Sequence, residues 1–284
     1  MPHSVPHLVS TDWLAEHLDA PDIKVVDGSW YMPAMGRNPK EEFARQHIPG
    51  AVFFDLDGIS DTDSLYPHML PSPEKFSSRM KALGVGDGHH IIAYDGAGIF
   101  SAARIWWTFR AMGHERVSVL DGGFKKWVHE TRPVEQGISQ GSERHYTARV
   151  NNFIVRDKNA MRANIETKRE QVLDARSHGR FDGSAPEPRA GLSSGHIPGS
   201  LSLPFDLLIN EDGTLKDETD LRAHFEAAGV DLARPITTTC GSGVTAAILY
   251  LALTSLGHQS VALYDGSWTE WASDPESPIA TGSV

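Results

Sequence analysis

Residues 235–257 read PITTTCGSGVTAAILYLALTSLG. Pro235 to Thr239 is a short run rich in β-branched residues and reads as a strand. Cys240-Gly241-Ser242-Gly243 breaks it. A second run, from Thr245 to about Leu256, is closed by Gly257 and reads as a helix. That run is apolar nearly all round (Val244, Ala246, Ala247, Ile248, Leu249, Leu251, Ala252, Leu253), which predicts a buried helix. The chain's only cysteine therefore stands at a strand-to-helix turn. There the open N–H groups and the positive end of the helix dipole would favour thiolate over a free thiol of pKa about 8.5. The two glycines would let the loop curl, so that backbone around Gly241, Gly243, Val244 and Thr245 forms an anion nest. A buried cysteine acting as a small hydrophobe is the competing account. The order strand, Gly-x-Gly loop, helix argues for a nucleophile instead.

The rest of the chain is a tandem copy of this arrangement. Val25-Val26-Asp27 is answered by Val172-Leu173-Asp174, and His47-Ile48-Pro49-Gly50-Ala51 by His196-Ile197-Pro198-Gly199-Ser200. The strand candidate Ile91–Tyr94 with its loop Asp95-Gly96-Ala97-Gly98 is answered by Ile236–Thr239 and Cys240-Gly241-Ser242-Gly243. Gly113-His114 matches Gly257-His258, and Leu120-Asp121-Gly122-Gly123-Phe124 matches Tyr264-Asp265-Gly266-Ser267-Trp268. Ordered matches at a nearly constant, long offset mean two similar domains rather than a solenoid. Short strands alternating with helices (Ser72-Pro73-Glu74 to Leu83; Ser101 to Met112) predict an α/β fold with a mostly parallel sheet in each half. In such sheets the site lies past the carboxyl ends of the strands, where Cys240 falls. The expected boundaries are residues 1–135, a linker at 136–155 within the Gly-, Ser- and Gln-rich stretch from Pro133, and residues 156–284. Asp95 stands in the place of Cys240, so the first half is expected to keep the fold without the thiol chemistry and to lend residues to the site. His47 and His196 recur in both halves and read as turn-stabilising. Trp127, Trp268 and Trp271 read as core, and the Ser- and Pro-rich tail after Trp271 as loosely held.

Bulk properties narrow the function. With 40% apolar and 22% charged residues the chain is an ordinary globular protein. Its net charge of −11, with no basic block, argues against nucleic-acid and anionic-membrane partners. No apolar run reaches spanning length. One cysteine forms neither an internal disulfide nor a multi-cysteine zinc site, and fits a reducing compartment. The opening MPHSVPHLVSTDWL lacks the layout of a signal or transit peptide, so the expected location is the cytoplasm.

Two α/β repeats, each with an HIPG-type turn and a DG-x-x-x-x-W-like ending, and with cysteine only in the second, resemble the rhodanese-like sulfurtransferases from about Leu8 to Trp271. The resemblance implies two tandem rhodanese-like domains and a persulfide on Cys240. Its loop is similar to the branch that uses 3-mercaptopyruvate. Thiosulfate-using members place cations just after the cysteine, where this chain has neutral Gly241 and Ser242. The resemblance also implies roles for others. Arg180 and Arg189, nine apart, match paired arginines that hold the substrate carboxylate. Guanidinium suits this, being bidentate and permanently charged. Ser242, His68 and Asp57 match a proton relay, with Ser242 also placed to bond the ketone. The implied acceptor is reduced thioredoxin, a small thiol or cyanide, and no metal or organic cofactor is required.

Three alternatives stand beside this one. A thiosulfate:cyanide sulfurtransferase differs only in donor. A sulfur-carrier or redox-sensing module would form the persulfide without turnover. A cysteine-dependent phosphatase needs an arginine in or just after the loop, and there is no Arg or Lys from Cys240 to Leu253.

Overall fold

The computed structural model describes residues 5–138 and 142–282. They divide into two compact units. The first comprises the described residues of Met1–Thr62, Leu70–Asn151 and Asn210–Leu215. The second comprises those of Asp63–Met69, Asn152–Ile209 and Lys216–Val284.

In the first unit the strands are β1 (Leu8–Val9), β2 (Ile23–Asp27), β3 (Val52–Phe53), β4 (His90–Tyr94) and β5 (Val117–Leu120). All pair in parallel, in the order β1-β5-β4-β2-β3. Asp27 lies opposite Tyr94 at the carboxyl ends of β2 and β4. Val25, Ile92, Tyr94 and Leu120 pack against Leu14, Phe43, Ile48 and Trp127. The Pro73–Ala82 helix starts as its sequence dictates, with Ser72 accepting from Lys75 N and proline in the first turn. Residues 142–151, expected to act as linker, are tied to this unit. Tyr146 is buried against Phe76, Phe109 and His114. Arg149 N and Asn151 N bond to Met112 O and Ala111 O.

The second unit repeats the plan with β6 (Val155–Arg156), β7 (Gln171–Asp174), β8 (Leu201–Ser202), β9 (Ile236–Thr239) and β10 (Val261–Tyr264). Its order is β6-β10-β9-β7-β8, again all parallel. The chain runs from β7 to one sheet edge and from β9 toward the other. Their following loops therefore diverge at the switch point, the position at which ligands bind in sheets of this kind. The Ala246–Ser255 helix buries Ala246 to Leu253 without a gap, because it has no polar face to turn outward. Met161, Val172, Ile197, Tyr264, Trp268 and Trp271 form the core beside it. The tail is not loose: His196 N donates to Ala280 O and Ala280 N to His196 O, and Trp271 Nε1 donates to Pro278 O. The two repeated histidines serve the turns. His47 and His196 stack on Phe43 and Phe181 and bond their carbonyls through Nδ1 at 2.8 and 2.9 Å. No helix among the described residues is long and apolar enough to cross a membrane.

Candidate active site

Cys240 follows β9 directly and is buried, at 2% exposure. Its loop is held from behind by the DG-containing turn of the repeat. Trp268 N donates to Cys240 O and Thr269 N to Gly241 O, both at 2.9 Å, and Thr269 Oγ1 donates to Gly241 O at 2.6 Å. Ser267 Oγ accepts from Cys240 N at 3.3 Å and donates to Tyr264 O at 2.9 Å. Ser267 does this from a left-handed φ of 51°, a conformation a buried serine adopts only when its surroundings fix it. With these carbonyls turned away, the peptide planes present their N–H edges to the inside of the loop.

The first unit shows what such a loop does. Asp95, at the place of Cys240, accepts four backbone hydrogen bonds. Oδ1 takes Ala97 N (2.8 Å) and Gly98 N (3.0 Å), and Oδ2 takes Phe100 N and Ala102 N (both 2.8 Å). Phe124 N bonds Asp95 O at 2.9 Å, as Trp268 N bonds Cys240 O. The repeated loop is thus a nest for one anionic group carried on its first residue. Burial pushes the Asp95 carboxyl up from the usual range, and the four amides pull against it.

The loop after β7 carries the cations. Arg180 lies in the short His178–Asp182 helix, and Arg189 follows Pro188. A Cβ built on Gly241 would sit 2.9 Å from Arg180 Nη2 and 3.7 Å from Arg189 Nη1. Both guanidiniums therefore lie over the residue next to Cys240. Arg189 Nη2 also reaches Ser242 Oγ at 3.4 Å. Ser242 Oγ and His68 Nδ1 share a 2.9 Å hydrogen bond in which both side chains are buried. His68 belongs to Asp63–Met69, the segment that packs with the second unit, and holds a φ of 63°.

The structure thus brings together Cys240, Gly241, Ser242, Arg180, Arg189 and His68. Gly243 makes the turn at a φ of 77°, Val244 is buried, and Thr245 immediately precedes the helix without capping it. Asp57 lies in the first unit, where its Oδ2 accepts from Trp30 Nε1 at 3.2 Å. One group was missed. Glu187, whose side chain is 2% exposed, bonds Arg180 Nε (3.0 Å), Arg180 Nη2 (2.6 Å) and Arg176 Nη1 (2.8 Å). Arg176 in turn bonds both oxygens of Asp174 and the carbonyl of Gly195, with its Cζ 4.2 Å from the Trp268 ring centre. The spacing Asp174-x-Arg176 and the carboxylate between two arginines were the available signals.

The sequence profile of the rhodanese-like domain matches residues 10–130 and 157–274. The 3-mercaptopyruvate sulfurtransferase of Homo sapiens is 42% identical over 283 residues, covering 97% of this chain and 95% of that one. The thiosulfate sulfurtransferase of Bos taurus is 43% identical over 284 residues, covering 97% and 95%. The crystal structure of SseA from Escherichia coli, described as a 3-mercaptopyruvate sulfotransferase, superposes with a TM-score of 0.86 at 41% identity, covering 93% of this chain and 99% of that chain. Two parallel sheets, the doubled profile and these full-length likenesses place the chain in the tandem-domain rhodanese-like sulfurtransferase family.

Proposed function

We propose that this enzyme moves sulfur from 3-mercaptopyruvate to a thiol or cyanide acceptor through a persulfide on Cys240, releasing pyruvate. The carrying observation is the placement of Arg180 and Arg189 over Gly241, beside a loop with no cation of its own. Identity alone does not choose the donor, since relatives named for either substrate stand at 42% and 43%. Charge placement does. Thiosulfate is a compact dianion that calls for positive charge at the sulfur itself. Mercaptopyruvate carries its carboxylate away from the sulfur, which suits two arginines that lie over Gly241 and come from outside the cysteine's own loop.

The Cys240 thiolate attacks the substrate sulfur. The S–S bond forms as the C–S bond breaks, and the electron pair goes to the enolate of pyruvate. Arg180 and Arg189 hold the carboxylate and steady the developing oxyanion, and loop amides stabilise charge on sulfur before and after transfer. Ser242 and His68 carry the substrate's thiol proton to the enolate carbon, leaving a persulfide anion and pyruvate. Asp57 is the third member of this relay in our reading. An acceptor thiolate or cyanide then attacks the outer sulfur and frees Cys240. Reduced thioredoxin is the acceptor we favour, and the cytoplasm the compartment, because turnover needs a cysteine kept reduced.

Steady-state turnover with 3-mercaptopyruvate and with thiosulfate, at one acceptor, tests this in the parent, Arg180→Ala and Arg189→Ala. Each substitution removes a charge-assisted contact, so kcat/KM for 3-mercaptopyruvate should fall about 10- to 100-fold. A parent that prefers thiosulfate would overturn the donor assignment and leave the persulfide chemistry intact.

A further inference from the structure

The substrate arginines do not stand alone. Asp174, Arg176, Glu187 and Arg180 form a ladder of alternating charge running from the end of β7 to the space over Gly241. Its inner rungs are fully desolvated: the side chains of Asp174, Arg176 and Glu187 are 1%, 0% and 2% exposed, against 20% for Arg180. Glu187 grips Arg180 along the Nε–Nη2 edge. A guanidinium held by that edge cannot swing, and it presents its remaining donors, Nη1 and the second Nη2 hydrogen, in a fixed plane. Glu187 itself cannot move, because its Oε1 also bonds Arg176, which is locked by Asp174 and by Gly195 O.

The backbone around it is built for the same purpose. Ala185 N bonds Gly179 O at 2.8 Å, folding the segment back on the short helix. Pro188 keeps Glu187 extended, so that neighbouring residues send a carboxylate to Arg180 and a guanidinium to Ser242. The five side chains Asp174, Arg176, Glu187, Arg180 and Arg189 carry one net positive charge. Without Glu187 they would carry two.

We infer that Glu187 is a positioning and specificity residue: it fixes the face that Arg180 offers to substrate, and it trims the clamp's charge to suit a monoanionic 2-oxo acid over a dianion. The inference rests on the donor assignment above. Two variants separate shape from charge. Glu187→Gln keeps the length and one acceptor oxygen but removes the charge. Glu187→Asp keeps the charge but shortens the reach by one methylene.

Steady-state kinetics with both donors give the test. Glu187→Gln should raise KM for 3-mercaptopyruvate about tenfold while kcat stays within about threefold, as for lost ground-state alignment. Its kcat/KM for thiosulfate should hold or rise, because an added positive charge draws a dianion more than a monoanion. Glu187→Asp should raise KM for 3-mercaptopyruvate a few-fold and leave thiosulfate unaffected. Equal loss with both donors, or a parental KM in both variants, overturns the inference. Should Glu187→Gln not fold, Glu187→Asp decides alone by the same two criteria. Protection of Cys240 from iodoacetamide by pyruvate reads the clamp without turnover. It should weaken about tenfold in Glu187→Gln, even if the parent proves to prefer thiosulfate. Unchanged protection counts against Glu187 whatever the donor.

Discussion

Asp27 and Asp174 end corresponding strands, and they differ in one respect. Asp174 faces Arg176. Asp27 is followed two residues on by Ser29, whose N–H donates to Oδ1 at 2.8 Å. Burial, with Asp95 adding a like charge, pushes the Asp27 carboxyl up to about 6 although Ser29 and Tyr94 bond to it. A raised folded-state value means the folded chain binds this proton more tightly than the unfolded chain. The contribution is therefore most favourable below about pH 4 and is lost as pH rises toward 6, a swing of about 3 kcal/mol. Asp27→Asn keeps the shape and removes the titration, since Ser29 and Tyr94 hydroxyls also accept. Denaturant midpoints of parent and variant should agree near pH 4, and the variant should be the more stable at pH 8. A gap of equal size at both pH values would sink this account. At this scale the grouping of Cys240 with Arg180 and Arg189 was legible, because the lone cysteine stands at a strand-to-helix turn and the two arginines, nine apart, flank a proline-containing turn just before the HIPG motif. Glu187 was not. A carboxylate among loop residues looks solvated, and only three-dimensional burial shows otherwise.

At the scale of the element, the catalytic loop corrects one expectation. Both its glycines were assigned to tight turning. Gly243 alone uses the left-handed region, at a φ of 77°. Gly241 is needed for room, because a Cβ there would stand 2.9 Å from Arg180 Nη2. Backbone at Gly241 accepts alanine, and the crowded atom ends a long side chain, so a slight displacement of the guanidinium relieves the contact at little cost in stability but spoils its seat on Glu187. Gly241→Ala should then melt within about 1 kcal/mol of the parent yet raise KM for 3-mercaptopyruvate severalfold. A large loss of stability with a parental KM would show that the glycine serves the turn instead. The strands and helices read from the sequence lie within a residue or two of their expected places, since β-branched runs and caps are local signals: β4, β9 and the Pro73–Ala82 and Ala246–Ser255 helices are where predicted. The loop's rear anchor was not legible. Trp268 and Thr269 reach Cys240 and Gly241 across 28 residues, and no local pattern encodes which carbonyl a distant N–H will take.

At the scale of the whole molecule, duplication was the clearest message of the sequence, and each copy uses the same five-stranded order. His68 was expected to serve the second half; what the sequence hid is that the exchange is mutual, a short segment of each half joining the unit of the other. Residues 63–69 bring His68 to Ser242, while 210–215 set Gly213 against Gly98. The two segments occupy corresponding places in the repeat, and both residues hold positive φ, 63° for His68 and 88° for Gly213. Glycine adopts that conformation freely, whereas histidine costs about 1 kcal/mol, a strain kept where a side chain is needed. The same comparison shows what occupies the loop of the first copy. Its nest is filled by Asp95, whose four amide partners have no substitute if the carboxylate goes. Asp95→Ala should lower stability by roughly 2–4 kcal/mol, the order expected when buried N–H groups lose their acceptor. The vacated nest should also bind a carboxylate of its own size. Formate at high concentration should raise the variant's melting temperature more than the parent's, by mass action on the folded state. Iodoacetamide should meanwhile label Cys240 at the parental rate, since Asp95 takes no part in the thiol's loop. Parental stability in Asp95→Ala would mean that the four bonds are not what holds the first loop. A loss of stability that formate leaves unchanged would mean that the loop collapses once its anion is removed.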